Sequence, residues 1–176
     1  MKKVIYVIAI VAICFYRCGQ TTNNEISEPK LLLELCLDSL INEVPNFMDN
    51  DITMEDFATS VANELLKFRG DTLKFLSELI FTFDEAEKEY NSDMYTVKFK
   101  FVTAFRKYDV RINIISLVDK TIAIKLMKSN KYYISGIFKG FSIYGYPRLI
   151  EFGDGGRNEI RLGTLIIENL TIEPLN

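Results

Sequence analysis

The chain has 176 residues, 21 basic and 24 acidic side chains, and no histidine. That absence excludes Ser-His-Asp and Cys-His catalytic sets and histidine-bearing zinc sites, and past the first 18 residues Cys36 stands alone, too few thiols for a thiolate cluster or a disulfide framework. With 48% apolar residues, 13 Phe and 9 Tyr, the chain is rich enough to bury one domain's core, and it carries no P-loop, G-x-S-x-G or G-x-G-x-x-G pattern.

In chain order, Lys2-Lys3 precedes an almost wholly apolar run from Val4 to Tyr16. A cationic start and an apolar stretch too short to cross a bilayer make residues 1–17 read as an export signal. Cys18 follows, and residues 18–28, with Gly19-Gln20-Thr21-Thr22-Asn23-Asn24-Glu25, read as a polar tether. This segment resembles bacterial lipoprotein precursors, especially of the Bacteroides type, in which the signal's cysteine becomes the acylated first residue. The resemblance implies lipidation at Cys18 and a chain held on the membrane of the cell envelope, the outer membrane in a Gram-negative host. It departs from the family pattern at Arg17, where a small residue is usual, and leaves Cys14 after Val11-Ala12-Ile13, or ordinary cleavage, as alternatives.

Residues 25–90 hold 16 acidic and 5 basic side chains, whereas residues 91–176 hold 8 and 13. Such a split marks a ligand surface or two parts that attract each other. The acidic half, residues 29–70, reads as helical and as packing on a following sheet. Leu33, Cys36, Leu37, Leu40, Ile41 and Val44 recur at spacings of three and four before Pro45. A second helix starts with a capping-box-like Thr53-Met54-Glu55-Asp56, runs an apolar stripe through Phe57, Val61, Leu65 and Phe68, and ends at Gly70. Residues 71–84 fit either a buried helix or a strand beginning near Leu79, and Glu85 to Glu89 read as an acidic connection.

From there period two takes over, and residues 71–176 read as an antiparallel β-domain. Tyr95–Phe101, Val110–Ile114 and Ile122–Leu126 alternate apolar with polar or small residues; Tyr132–Phe138, Phe141–Tyr144 and a long segment from Glu159 to Ile172 follow. Asp154-Gly155-Gly156-Arg157-Asn158 reads as a hairpin turn. The expected fold is α+β: N-terminal helices, then a small antiparallel barrel or sandwich. Lys131 to Gly140, with Gly136 in mid-strand, and Leu165 to Ile172 resemble the closing strands of OB-fold proteins of the tRNA-anticodon-binding type, a resemblance spanning residues 94–174. It implies an OB-like barrel and makes Lys131, Tyr133, Lys139, Phe141, Tyr144, Tyr146 and Arg148 candidates for a ligand face, with rings to stack and cations for acidic groups.

The expected function is a non-enzymatic envelope module that binds another protein or a glycan. The net charge of −3 argues against nucleic acid. A histidine-free glycan-acting enzyme using two carboxylates and an immunity-like inhibitor are the alternatives. No residue pair is singled out as catalytic, and no cofactor or metal is expected.

Overall fold

A computed structural model describes residues 32–44, 46–150 and 157–175. The export signal, Cys14, Cys18, the tether, Pro45, residues 151–156 of the segment before the last strand, and the side chain of Cys36 lie outside the described residues.

Helix α1 spans Leu32–Glu43 and buries Leu33, Leu37 and Ile41, the stripe that its three- and four-residue spacing dictates. Helix α2 spans Asp51–Leu66. Its N-cap is Asn50, whose side chain accepts from the Thr53 amide while the Thr53 hydroxyl meets the Asn50 backbone. The cap thus sits one turn earlier than the Thr53 start expected, because Asn50 is the better cap. Phe57, Val61 and Leu65 are buried, and the helix closes at Leu66, before the Gly70 turn. A 3-10 turn, Lys74–Glu78, then buries Phe75 and Leu76.

Six strands form one sheet: β1 Ile80–Lys88, β2 Met94–Phe105, β3 Tyr108–Asp119, β4 Lys131–Phe141, β5 Arg148–Ile150 and β6 Asn158–Pro174. Their order is β3-β2-β1-β4-β6-β5, and β3 also pairs with β6, so five strands join into a closed ring with β5 on its edge. Period-two alternation turns Val97, Phe99 and Phe101 of β2, and Val110, Ile112 and Ile114 of β3, into one interior. Phe81, Phe138, Leu165 and Ile167 fill it from the other strands. Closure needs curvature, and the β4–β6 register shifts twice, between Ser135 and Ile137 and between Phe138 and Gly140. At Gly136 a Cβ would lie 2.4 Å from Ile167 Cγ2 and 2.7 Å from the Glu168 carbonyl, so only glycine lets these strands close.

The helices cap the end of the ring at the β2–β3 turn. Phe47, between α1 and α2, stacks on Phe57 at 4.4 Å and tilts against Tyr108 at 5.4 Å, and Asp38 pairs with Arg106 at 2.6 Å. The chain after α2 is laid along β4 by Gly70 N–H donating to the Phe138 carbonyl and Phe138 N–H to that of Asp71.

The chain is mostly β with few helices; four expectations change and one open choice resolves. Ile122–Leu126 is not a strand: helix α3, Lys120–Ala123, and a following turn occupy it, because Asp119 caps the Ile122 amide. Glu85 to Lys88 is not a connection but part of β1, where Lys98 and Lys100 opposite pair with Glu85, Glu87 and Asp84 and relieve the charge that argued against a strand. The choice left open over residues 71–84 resolves as the 3-10 turn followed by a strand from Ile80, one residue from the Leu79 start expected. Phe141 ends β4, and residues 142–147 form a turn. The β3–β6 pair is parallel among otherwise antiparallel pairs, because a closed ring of five strands, an odd number, cannot alternate direction throughout. Among the described residues, no helix is long and apolar enough to cross a membrane.

Candidate functional site

The seven residues singled out for a ligand face separate along β4. Lys131 and Tyr133 stand at its start, Tyr133 opposite Ile80 on one side and Glu173 on the other. Lys139 is held by Glu168 at 2.8 Å. Phe141 turns inward, in edge contact with Phe138 at 5.6 Å and tilted against Tyr146 at 5.2 Å. Tyr144 projects into solvent, 93% exposed. Phe141, Tyr146 and Arg148 are therefore brought together, and the other four are not.

The turn that carries them is fixed by backbone. Ser142 N–H donates to the Thr164 carbonyl at 3.0 Å, and Thr164 N–H to that of Gly145 at 2.7 Å. A Cβ on Gly145 would lie 2.2 Å from Ser142 Oγ and 2.6 Å from Thr164 Cβ, so the turn sits on β6 at a distance no side chain permits. Tyr146, 56% exposed, then leans on Phe141 with its free face outward.

Between this turn and α2 runs a groove of about 550 Å³. Tyr146, Pro147, Arg148 and Leu149 form one wall; Asp51, Glu55, Thr59 and Asn63, with Met54, Ala58 and Ala62, form the other. Asp51, Glu55, Thr59 and Asn63 recur every fourth residue, a polar stripe one helical turn apart, beside the buried stripe of Phe57, Val61 and Leu65. That spacing is present in the sequence, but a polar stripe beside an apolar one is the ordinary solvated face of an amphipathic helix and does not by itself mark a groove wall. The groove sets carboxylates and amide groups against a guanidinium and a tyrosine ring.

A second constellation lies on the outer face of β3, β6 and β5. Arg111, Arg161 and Arg148 share one register row. Glu159, two residues before Arg161 and 2% exposed, lies between two of them. Its Oε2 accepts from Arg161 Nε at 2.8 Å, and its Oε1 lies 2.6 Å from Arg111 Nε as an ion-pair contact without hydrogen-bond alignment. Next to it, Arg157 pairs with Asp109 at 3.2 Å and donates to the Tyr108 carbonyl. Arg148, by contrast, is ion-paired with no acidic side chain among the described residues and lines the groove. In comparison with known proteins, the chain matches no family model and no curated protein.

Proposed function

We propose that the protein is an exported, lipid-anchored and non-enzymatic binding module of the cell envelope, built on an OB-like barrel, with a glycan as the ligand of the groove between α2 and the 146–149 segment. The observation that carries this reading is the groove itself: hydrogen-bonding groups of both kinds on facing walls, with a half-exposed ring beside them, suit a polyhydroxylated ligand with flat faces. The ring order β1-β2-β3-β6-β4 and back to β1 supports an OB-like barrel, whose binding loops include the one before the last long strand. Here that connection carries Tyr144, Tyr146 and Arg148. Asp51 and Glu55 stand on the same wall, whereas glycoside cleavage sets two carboxylates on either side of the scissile bond. The arrangement supports holding rather than cutting.

Mass spectrometry of the mature N-terminus should find an acylated Cys18; a soluble product with unmodified Cys18 ends the anchoring reading. For the groove, calorimetry with soluble envelope glycan fragments should show Tyr146→Ala and Arg148→Ala each weakening binding, the ring by about 1 to 3 kcal/mol if it stacks as rings do on flat ligands. Stability should fall by under about 1 kcal/mol, because both side chains are exposed. Unchanged affinity in both variants, or a loss of roughly 3 to 5 kcal/mol of stability in Tyr146→Ala, refutes the groove as ligand seat.

A further inference from the structure

At the end of the ring away from α1 and α2, the chain from Lys120 to Lys131 carries four lysines and no acidic residue. Helix α3 and the turn after it bury Ala123 and half-bury Ile122 and Leu126, which pushes Ile124 and Met127 outward, 69% and 64% exposed. Lys125 and Lys128, also exposed, interleave with them. The segment is a rigid platform rather than a loose loop. Ser129 N–H donates to the Phe83 carbonyl at 3.0 Å, Phe83 N–H to that of Asn130 at 2.9 Å, and Met127 N–H to the Tyr132 hydroxyl at 3.0 Å. Behind Met127 an apolar notch of about 430 Å³ opens between Leu126, Tyr132, Leu170 and Ile172. Of the acids around it, Asp119 is tied to Thr121 and Ile122 as the cap of α3 and also feels the Lys125 charge, Asp84, next to Phe83, is paired with Lys100, and Glu173 lies across from Tyr133. Among the described residues none of the four lysines is ion-paired.

We propose that this platform docks on an anionic phospholipid bilayer, with Ile124 and Met127 entering the headgroup region and Lys120, Lys125, Lys128 and Lys131 holding the phosphates. Charge complementarity selects the occupant. A protein partner would call for an apolar centre with charges at its rim and few lysines. Here lysine and apolar side chains alternate within five residues, the pattern of a headgroup-level boundary, where long cationic stems lie along the apolar layer and their heads reach phosphate. The surface does not depend on acylation of Cys18, so it stands or falls separately from the anchor.

The test uses residues 18–176 carrying Cys18→Ser, which include every described residue and no acyl group. The chain should float with vesicles of phosphatidylcholine mixed with phosphatidylglycerol and not with phosphatidylcholine alone, and added salt should weaken binding. Lys125→Ser with Lys128→Ser should weaken it roughly thirtyfold, at about fivefold per lysine, and Ile124→Ser with Met127→Ser about tenfold or more. Unfolding midpoints should stay put, since all four side chains are exposed. The chain lacks tryptophan, so Met127→Trp supplies a single reporter whose emission should shift to the blue on mixed vesicles. No binding to the mixed vesicles, equal binding to phosphatidylcholine alone, full binding by either double variant, or unshifted tryptophan emission from the vesicle-bound Met127→Trp variant would overturn the proposal.

Discussion

Phe47 links the helices to the ring, and its truncation tests whether they form one cooperative unit. The side chain is fully buried, stacked on Phe57 of α2 and tilted against Tyr108 at the start of β3, so one ring joins the α1–α2 connection, a helix and the sheet. Phe47→Ala removes that ring from a fully buried site and leaves the Phe57 and Tyr108 rings facing a cavity. A buried Phe→Ala change costs roughly 3 to 5 kcal/mol, of which the two aromatic contacts supply about 0.5 to 1.5 kcal/mol each beyond area burial. For a chain of this size each kcal/mol moves the thermal midpoint by about 2 to 4 °C, giving a fall of roughly 10 °C. With a urea slope of about 2 kcal/mol per M, the chemical midpoint drops by about 2 M. Urea unfolding followed by both helical and near-ultraviolet circular dichroism should show one transition, displaced as a whole. A loss below about 1 kcal/mol, or a helical transition that moves ahead while the sheet transition stays in place, would make the helices a separate module and refute the argument.

Glu159→Gln keeps the shape between Arg111 and Arg161 but removes the charge that holds them. A fully buried pair would lose roughly 3 to 5 kcal/mol, but both guanidinium groups reach solvent, so a loss of about 2 kcal/mol is expected by urea titration, and one below about 0.5 kcal/mol would refute it. Asp119 gives a pH signature: the Thr121 hydroxyl first, then the Ile122 amide, hold its carboxyl below the ordinary value of 3.8. A lowered value means that the ionised cap's contribution is complete above the ordinary value and is lost as pH falls through the lowered one. Asp119→Asn keeps an oxygen to cap α3, so the stability difference between the two proteins should be flat above about pH 5 and shift against the wild type in more acid solution. A difference that shifts in the wild type's favour on acidification contradicts the assignment.

The elements with long, single-period patterns were legible in the sequence. The alternating stretches Tyr95–Phe101 and Val110–Ile114 lie inside the twelve-residue strands β2 and β3, and α1 repeats its apolar spacing through three turns, so period places all three. Ile122–Leu126 is no shorter than Val110–Ile114 but is apolar at four of its five positions, so its alternation is weak. Such a run satisfies both periods, and the deciding interaction is the Asp119 side chain on the Ile122 amide, a local bond that period cannot reveal. The acidic end of β1 failed for the opposite reason: its charges are compatible with a strand only because Lys98 and Lys100 come from a partner strand. The ligand set was chosen by residue type along one strand. Four of the seven lie on the eleven-residue β4, two on the turn after it and Arg148 at the start of β5, and they cannot share one surface, because Lys131 and Phe141 stand at opposite ends of β4 and Phe141 packs half-buried against the core. The opposite groove wall belongs to a helix more than eighty residues earlier, a juxtaposition that only the fold supplies.

The charge asymmetry between the halves is in part consumed by folding. The acids of β1 meet the lysines of β2, and Asp38 meets Arg106, so opposite charges that are distant in sequence end as neighbours. The exposed pairs of β1 with β2 are worth little each, at about 0 to 1 kcal/mol. What survives neutralisation is informative instead. Arg148 beside the groove and the lysines from 120 to 131 lack ion-pair partners among the described residues, and no acidic residue occurs from Lys120 to Ile150. The two surviving positive regions lie on different structural units, one against α2 and one on the α3 platform, so a single ligand cannot account for both. A binding module held at an anionic surface would need this separation: one positive region to orient it on the membrane and another left open for what it binds.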